Sequence, residues 1–233
     1  MLPSAMMPRS IISFVLAGLV VWLGASAGQA ADTYALLFKE GTLDAVPRTA
    51  SLDYRRSVSA PEDRSLETRS NGTIKLTFTP GDMVDLNFET DSKARRVGTF
   101  PANVGNPLIM YFLESVVKDL ASFAGGSPYY IRNRIKAALL QDRPVRERQI
   151  ALEGRDVASR SIVLYPFKDD PASDRMRGVE TLALTVTVSE DVPGWYYALK
   201  AETTTDRGQR SELPDTLPAY SSSIVFLKQG ETK

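Results

Sequence analysis

Three aspartates, Asp169, Asp170 and Asp174, fall within the stretch Asp169-Asp170-Pro171-Ala172-Ser173-Asp174. An oxygen-rich loop of this kind suits a hard cation such as calcium, which takes several carboxylate and carbonyl ligands. The spacing lacks the alternate ligand positions and the glycine of an EF-hand loop, and Asp, Ser and Pro also make an ordinary turn. A metal site at Asp169, Asp170 and Asp174 is thus an expectation that competes with a plain turn.

Positive charge is concentrated in one region. Arg132, Arg134, Lys136, Arg143, Arg146 and Arg148 stand within 17 residues against Asp142 and Glu147, a local excess of four. Such a cluster can meet an anionic polymer or an acidic partner, and the association would weaken with salt. Cations late in a helix are also favoured by its dipole, so a solvated helix face is the competing account. Trp195 and Tyr196 follow the tight turn Val192-Pro193-Gly194. Aromatics with a polar tip are common on binding faces, but strand alternation sends Trp195 and Tyr197 to one face and Tyr196 to the other. Ser115 and Lys118 have the serine-x-x-lysine spacing in which lysine takes a serine proton. The companion Ser-Asp-Asn and Lys-Thr-Gly motifs are missing, and both residues fall on the polar side of a helical pattern, so a solvated face explains them.

The chain has no cysteine and no histidine. That excludes thiolate nucleophiles, disulfides, thiolate or imidazole metal sites and Ser-His-Asp triads. Glycine-rich phosphate loops, nucleophile elbows and dinucleotide fingerprints are also missing, so no cofactor is implied. Any chemistry falls to carboxylates, hydroxyls, lysine, arginine and the backbone.

The 233 residues carry 28 basic and 28 acidic side chains, 43% hydrophobic and 24% charged residues, an ordinary globular composition with no general drive toward nucleic acid. Arg9 is the one charge among residues 1–30. The apolar stretch Ile11–Leu23 follows it, then Gly24-Ala25-Ser26-Ala27-Gly28-Gln29-Ala30. This is the pattern of a secretory signal cleaved after Ala30, or after Ala27. Its apolar core is short for a membrane span. The expectation is an exported chain of residues 31–233 in a bacterial periplasm, touching membrane only through its export signal.

The elements that must position these residues follow from periodicity. Ala35-Leu36-Leu37-Phe38 predicts a first strand within 33–39. Residues 55–71, rich in Arg, Glu and Asp, predict a charged surface loop. Ile74, Leu76 and Phe78, then Val84, Leu86 and Phe88, alternate with polar residues around Pro80-Gly81-Asp82 and predict a hairpin. A third strand falls near 95–100. Asn106-Pro107 opens a helix with the stripe Ile109, Phe112, Leu113, Val116, Val117, Leu120 and Phe123. Ser127-Pro128 opens a second helix, to about Gln141, with the stripe Ile131, Ile135, Ala138 and Leu139. Strands return from about Val145. Ile162–Phe167 predicts an interior strand, Leu182–Val188 and Trp195–Lys200 two more, residues 208–223 a loop, and Ile224–Leu227 a last strand.

Strands, two helices, then strands predict one α+β domain over 31–233. It is mainly antiparallel sheet, as stacked sheets or an incomplete barrel, with one central helical pair over about 106–141. Such a sheet with helices can cradle an apolar ligand. The functional expectation is a non-catalytic binding role for an envelope protein, a polymer or an apolar ligand. The alternative is a carboxylate-dependent or metal-assisted hydrolase of envelope glycans, which requires acids that converge in a cleft.

Overall fold

In a computed structural model, residues 29–91, 93–124, 126–173, 176, 178–204 and 220–231 are described. The elements are α1 (Gln29–Leu37), β1 (Ala50–Ser59), α2 (Arg64–Ser70), β2 (Gly72–Thr79), β3 (Met83–Glu89) and β4 (Ala94–Pro101). After them come α3 (Leu108–Ala124), α4 (Pro128–Leu139), β5 (Arg146–Leu152), β6 (Arg155–Leu164), β7 (Ala183–Val188), β8 (Tyr196–Glu202) and β9 (Ser221–Glu231). The expected export segment lies almost wholly outside the described residues, and cleavage after Ala30 falls in the first turn of α1. No helix among the described residues is long and apolar enough to cross a membrane.

The nine strands among the described residues form one antiparallel sheet in the order β4-β3-β2-β1-β9-β8-β7-β6-β5. It is two meanders, β1 to β4 and β5 to β9, joined where β1 pairs with β9. The sheet does not close, which is the open form of the expected incomplete barrel. Its edges are β4 and β5, and the chain passes from one edge to the other through α3 and α4. The helical pair therefore crosses the sheet from edge to edge.

The hairpin is as the alternation predicts, with Ile74 opposite Phe88, Leu76 opposite Leu86 and Phe78 opposite Val84. All six are buried. Asn106 Oδ1 accepts from Leu108 N at 3.0 Å, so asparagine caps α3 as expected. The predicted α3 residues Ile109, Phe112, Leu113, Val116, Val117 and Leu120 and all four of the α4 stripe are buried, while the Phe123 side chain lies outside the described set.

Four expectations need correction. The first strand at 33–39 is instead the last part of α1. Four consecutive apolar residues fit either period, and the helix is held by contacts far away in sequence. The charged loop at 55–71 is β1, a central strand, followed by α2. Along β1 the inward positions are Leu52, Tyr54, Arg56 and Val58, and the arginine hides the alternation. Asp63 caps α2 by accepting from Leu66 N at 2.9 Å. Ile162–Phe167 is not one strand, because β6 ends at Leu164 and the chain then turns, leaving Tyr165 exposed and Phe167 buried. Finally, Trp195 precedes β8 at φ +81, and a bulge lies opposite Thr187 and Val188. Trp195 and Tyr196 are consequently both buried instead of facing opposite ways.

Candidate functional site

Arg56 is a charge in a row of apolar side chains, and a buried guanidinium must be paired. Its partner comes from α3. Ser115 and Asp119 stand one helical turn apart at the border of the apolar stripe. Arg56 Nη2 donates to Asp119 Oδ2 at 2.9 Å, and Tyr220 OH donates to the same oxygen at 3.0 Å. Arg56 Nη1 donates to Tyr111 OH at 3.2 Å. Ser115 Oγ donates to Phe112 O at 2.8 Å. Ser115 is buried, which corrects the solvated face expected for it, and so is Asp119, whereas Lys118 is exposed. Burial pushes the Asp119 carboxyl above the ordinary carboxylate range, against the pull of Arg56 and Tyr220. Burial also pushes the Tyr220 hydroxyl well up.

Beside this cluster lies a cavity of about 550 Å³ between α3 and the β4 edge. Val97, Phe100, Met110 and Tyr111 supply its apolar wall, and Met110 is well exposed. Arg56, Arg69, Arg95 and Lys118 supply cations, Glu114 and Asp119 the acids. Both acids are engaged. Arg132 donates to both Glu114 oxygens through Nε and Nη2 at 2.9–3.2 Å, and Asp119 holds Arg56. Arg56 Nε is buried with no hydrogen-bond partner among the described residues.

Arg69 and Arg95 also wall a second cleft, of about 590 Å³, between α2 and the β3–β4 end. Its lining is Arg64, Ser65, Thr68, Arg69, Phe88, Thr90, Lys93 and Arg95: four cations and no carboxylate. Arg64 pairs with Glu67 at 3.3 Å and Arg69 with Asp63 at 3.9 Å, at the protein surface. Lys93 and Arg95 are exposed and have no ion-pair partner among the described residues. The Arg95 guanidinium lies 5.3 Å from the centre of the Phe88 ring.

The residues singled out in the sequence lie elsewhere. The six-cation cluster is shared out among several partners. Arg132 binds Glu114, Arg134 Nε lies 2.7 Å from Asp170 Oδ2, and Lys136 is exposed on α4. Arg143 sits 5.9 Å from the Tyr165 ring centre, its backbone N donating to Thr33 Oγ1 at 3.3 Å, and Arg146 and Arg148 lie on edge strand β5. Asp170 is buried in a turn, where Tyr130 OH donates to it at 2.7 and 2.8 Å and Ala172 N at 2.8 Å. Asp169 is exposed at φ +59, and Asp174 lies outside the described residues. Among the described residues no three Asp or Glu side chains gather as a metal cage. Trp195 Nε1 donates to Leu36 O at 3.0 Å and Tyr196 OH to Leu37 O at 2.6 Å. These two donors satisfy the last two of the carbonyls that α1 leaves open at its C-terminus. Burial pushes the Tyr196 hydroxyl up. A smaller hollow of about 290 Å³ lies beside Trp195, with Lys39 Nζ 4.1 Å above the ring.

Arg56, Asp119, Arg69 and Arg95 were not singled out as site residues by sequence reading. The available signal was the spacing Leu52, Tyr54, Arg56, Val58, in which one charged residue occupies an inward position. No known protein family's profile matches the chain, and no curated protein matches it in sequence. Among solved structures, the chain is similar to the crystal structure of the Mycobacterium tuberculosis lipoprotein LppX, at 10% identity and a TM-score of 0.34, over 87% of this chain and 97% of that one.

Proposed function

We propose that this chain is an exported envelope protein that binds an amphiphilic ligand without transforming it, in the cavity between α3 and the β4 edge. The observation that carries the reading is that cavity: about 550 Å³, lined by Val97, Phe100, Met110 and Tyr111 together with Arg56, Arg69, Arg95 and Lys118. Its size falls in the range of small-molecule sites, and its mixture of apolar wall and a few placed polar groups is what such sites use. Export is supported by the pattern of residues 1–30. The hydrolase reading needs an acid free to exchange a proton at a substrate, and the two acids on this wall are each held by a guanidinium.

The test is purification of the full-length gene product from the periplasm of a bacterial host. N-terminal sequencing is expected to begin at Ala31, and native mass spectrometry to show a co-purifying amphiphile that organic extraction removes. Recovery of Met1 in the periplasmic product would overturn cleavage, and recovery of the full-length product in the cytoplasm alone would overturn export. Failure of the extracted protein to take up any long-chain amphiphile, with Phe100→Asp indistinguishable from wild type, would overturn the binding role.

A further inference from the structure

We infer that the α2/β3–β4 cleft recognises the anionic head of the ligand, a phosphate monoester or carboxylate, while the adjoining cavity takes its apolar tail. This rests on the binding role proposed above and adds the chemistry of the head. The two hollows adjoin, with Arg69 and Arg95 in both linings, and in this assignment one molecule spans them. The cleft gathers Arg64, Arg69, Lys93 and Arg95 with no carboxylate in its lining, in a chain whose formal charge is zero. Arg64 and Arg69 are already met by Glu67 and Asp63, but Lys93 and Arg95 have no acid partner among the described residues, and an anion would relieve the repulsion between them.

Edge strands often carry cations simply to prevent strand-to-strand association. That accounts for Arg95 on β4 and Lys93 just before it. Arg64 and Arg69 come from α2, each paired with an acid of its own segment, and they line the same cleft from the opposite side. Arg95 stays over the Phe88 ring and has no acid partner among the described residues, so its guanidinium keeps its donors for a ligand. Deeper in, Arg56 Nε is a buried donor on the cavity wall with no partner among the described residues. An unmet buried donor is costly, and the ester or hydroxyl oxygens that join the head to its tail would offset it.

The experiment uses the extracted full chain and three probes: oleoyl lysophosphatidic acid, monooleoylglycerol and glycerol 3-phosphate. They carry head and tail, tail with a neutral head, and head alone. Titration calorimetry is expected to rank the lysophosphatidic acid tightest, ahead of monooleoylglycerol by about tenfold or more. Arg64→Ala with Lys93→Ala, two residues that line the cleft and not the cavity, should reduce that preference and leave monooleoylglycerol binding unchanged. Both side chains are exposed, so the far-ultraviolet spectrum should stay that of the wild type. Added salt should weaken the anionic probe alone. Equal affinity for the two oleoyl probes, unaltered by the double variant, would overturn the head assignment and leave the cavity role standing. Binding of glycerol 3-phosphate as tight as the lysophosphatidic acid would keep the anion site and overturn the tail cavity. Binding of no probe would overturn both.

Discussion

Arg56 Nη2 lies 2.9 Å from Asp119 Oδ2, an ion pair that ties the central strand β1 to α3 inside the protein. Both side chains are almost wholly enclosed, at 5% and 8% exposure. Removing two charges from water is costly, and their attraction repays it only with good geometry and further hydrogen bonds. Tyr220 and Tyr111 supply those bonds here. The upward displacement of the Asp119 carboxyl says that burial still outweighs its partners.

Breaking the pair from one side leaves an uncompensated buried charge. Asp119→Ala is expected to cost about 3–5 kcal/mol in denaturant unfolding. Replacing both, Arg56→Met with Asp119→Leu, should recover most of that loss. A double variant as unstable as the single one would show that the pair itself, and not the orphaned arginine, is what matters.

The same carboxyl makes a pH signature. Its folded value stands above the ordinary 3.8, so in the window between them the folded chain holds a proton the unfolded chain has released. Stability from this group is then full below the ordinary value and is lost as pH rises through the folded one. Urea midpoints of Asp119→Asn measured across that window should lack this downward component. Parallel curves for the two proteins would contradict it.

Gly194 separates two kinds of glycine cost. It sits at φ +77, and an added Cβ would lie 2.6 Å from Leu52 Cδ1 and 2.9 Å from Asn106 Nδ2. Asn106 Nδ2 there donates to Gly194 O at 2.9 Å and to Tyr54 OH at 3.0 Å. Gly194→Ala is expected to lose about 2–5 kcal/mol, from backbone strain plus overpacking. Gly154→Ala, at φ +82 with open space around it, carries only the strain, about 1–2 kcal/mol. Equal melting temperatures for the two would remove the packing argument.

The end of α1 depends on two side chains 159 residues away. Tyr196→Phe removes the donor to Leu37 O and should cost about 1–3 kcal/mol, because the carbonyl is left unmet in a buried place. Hydrogen exchange should quicken in α1 while the β2–β3 hairpin stays protected. Uniform acceleration across the sheet would mean that the bond supports the whole fold instead.

Local regularity was readable wherever the inward residues were all apolar. The β2–β3 alternation, the Asn106 cap, the Pro128 start of α4 and the α4 stripe each declare themselves within a dozen residues, because period, cap and proline are properties of neighbours in the chain, although Ser127 makes no side-chain cap bond. The absence of cysteine and histidine was equally plain and closes whole classes of chemistry. The rest was decided in space. Arg56 at an inward position made β1 look like a charged loop until Asp119 arrived from α3 to neutralise it. The run Ala35–Phe38 had no period of its own, and it became the end of a helix because Trp195 and Tyr196 meet its last carbonyls. The cationic cleft draws on α2, β3 and the β4 edge, separate stretches of chain, so no local pattern could announce it. Pairing, burial and charge neutralisation are energies between distant residues, and only the packed chain brings those residues within reach of one another.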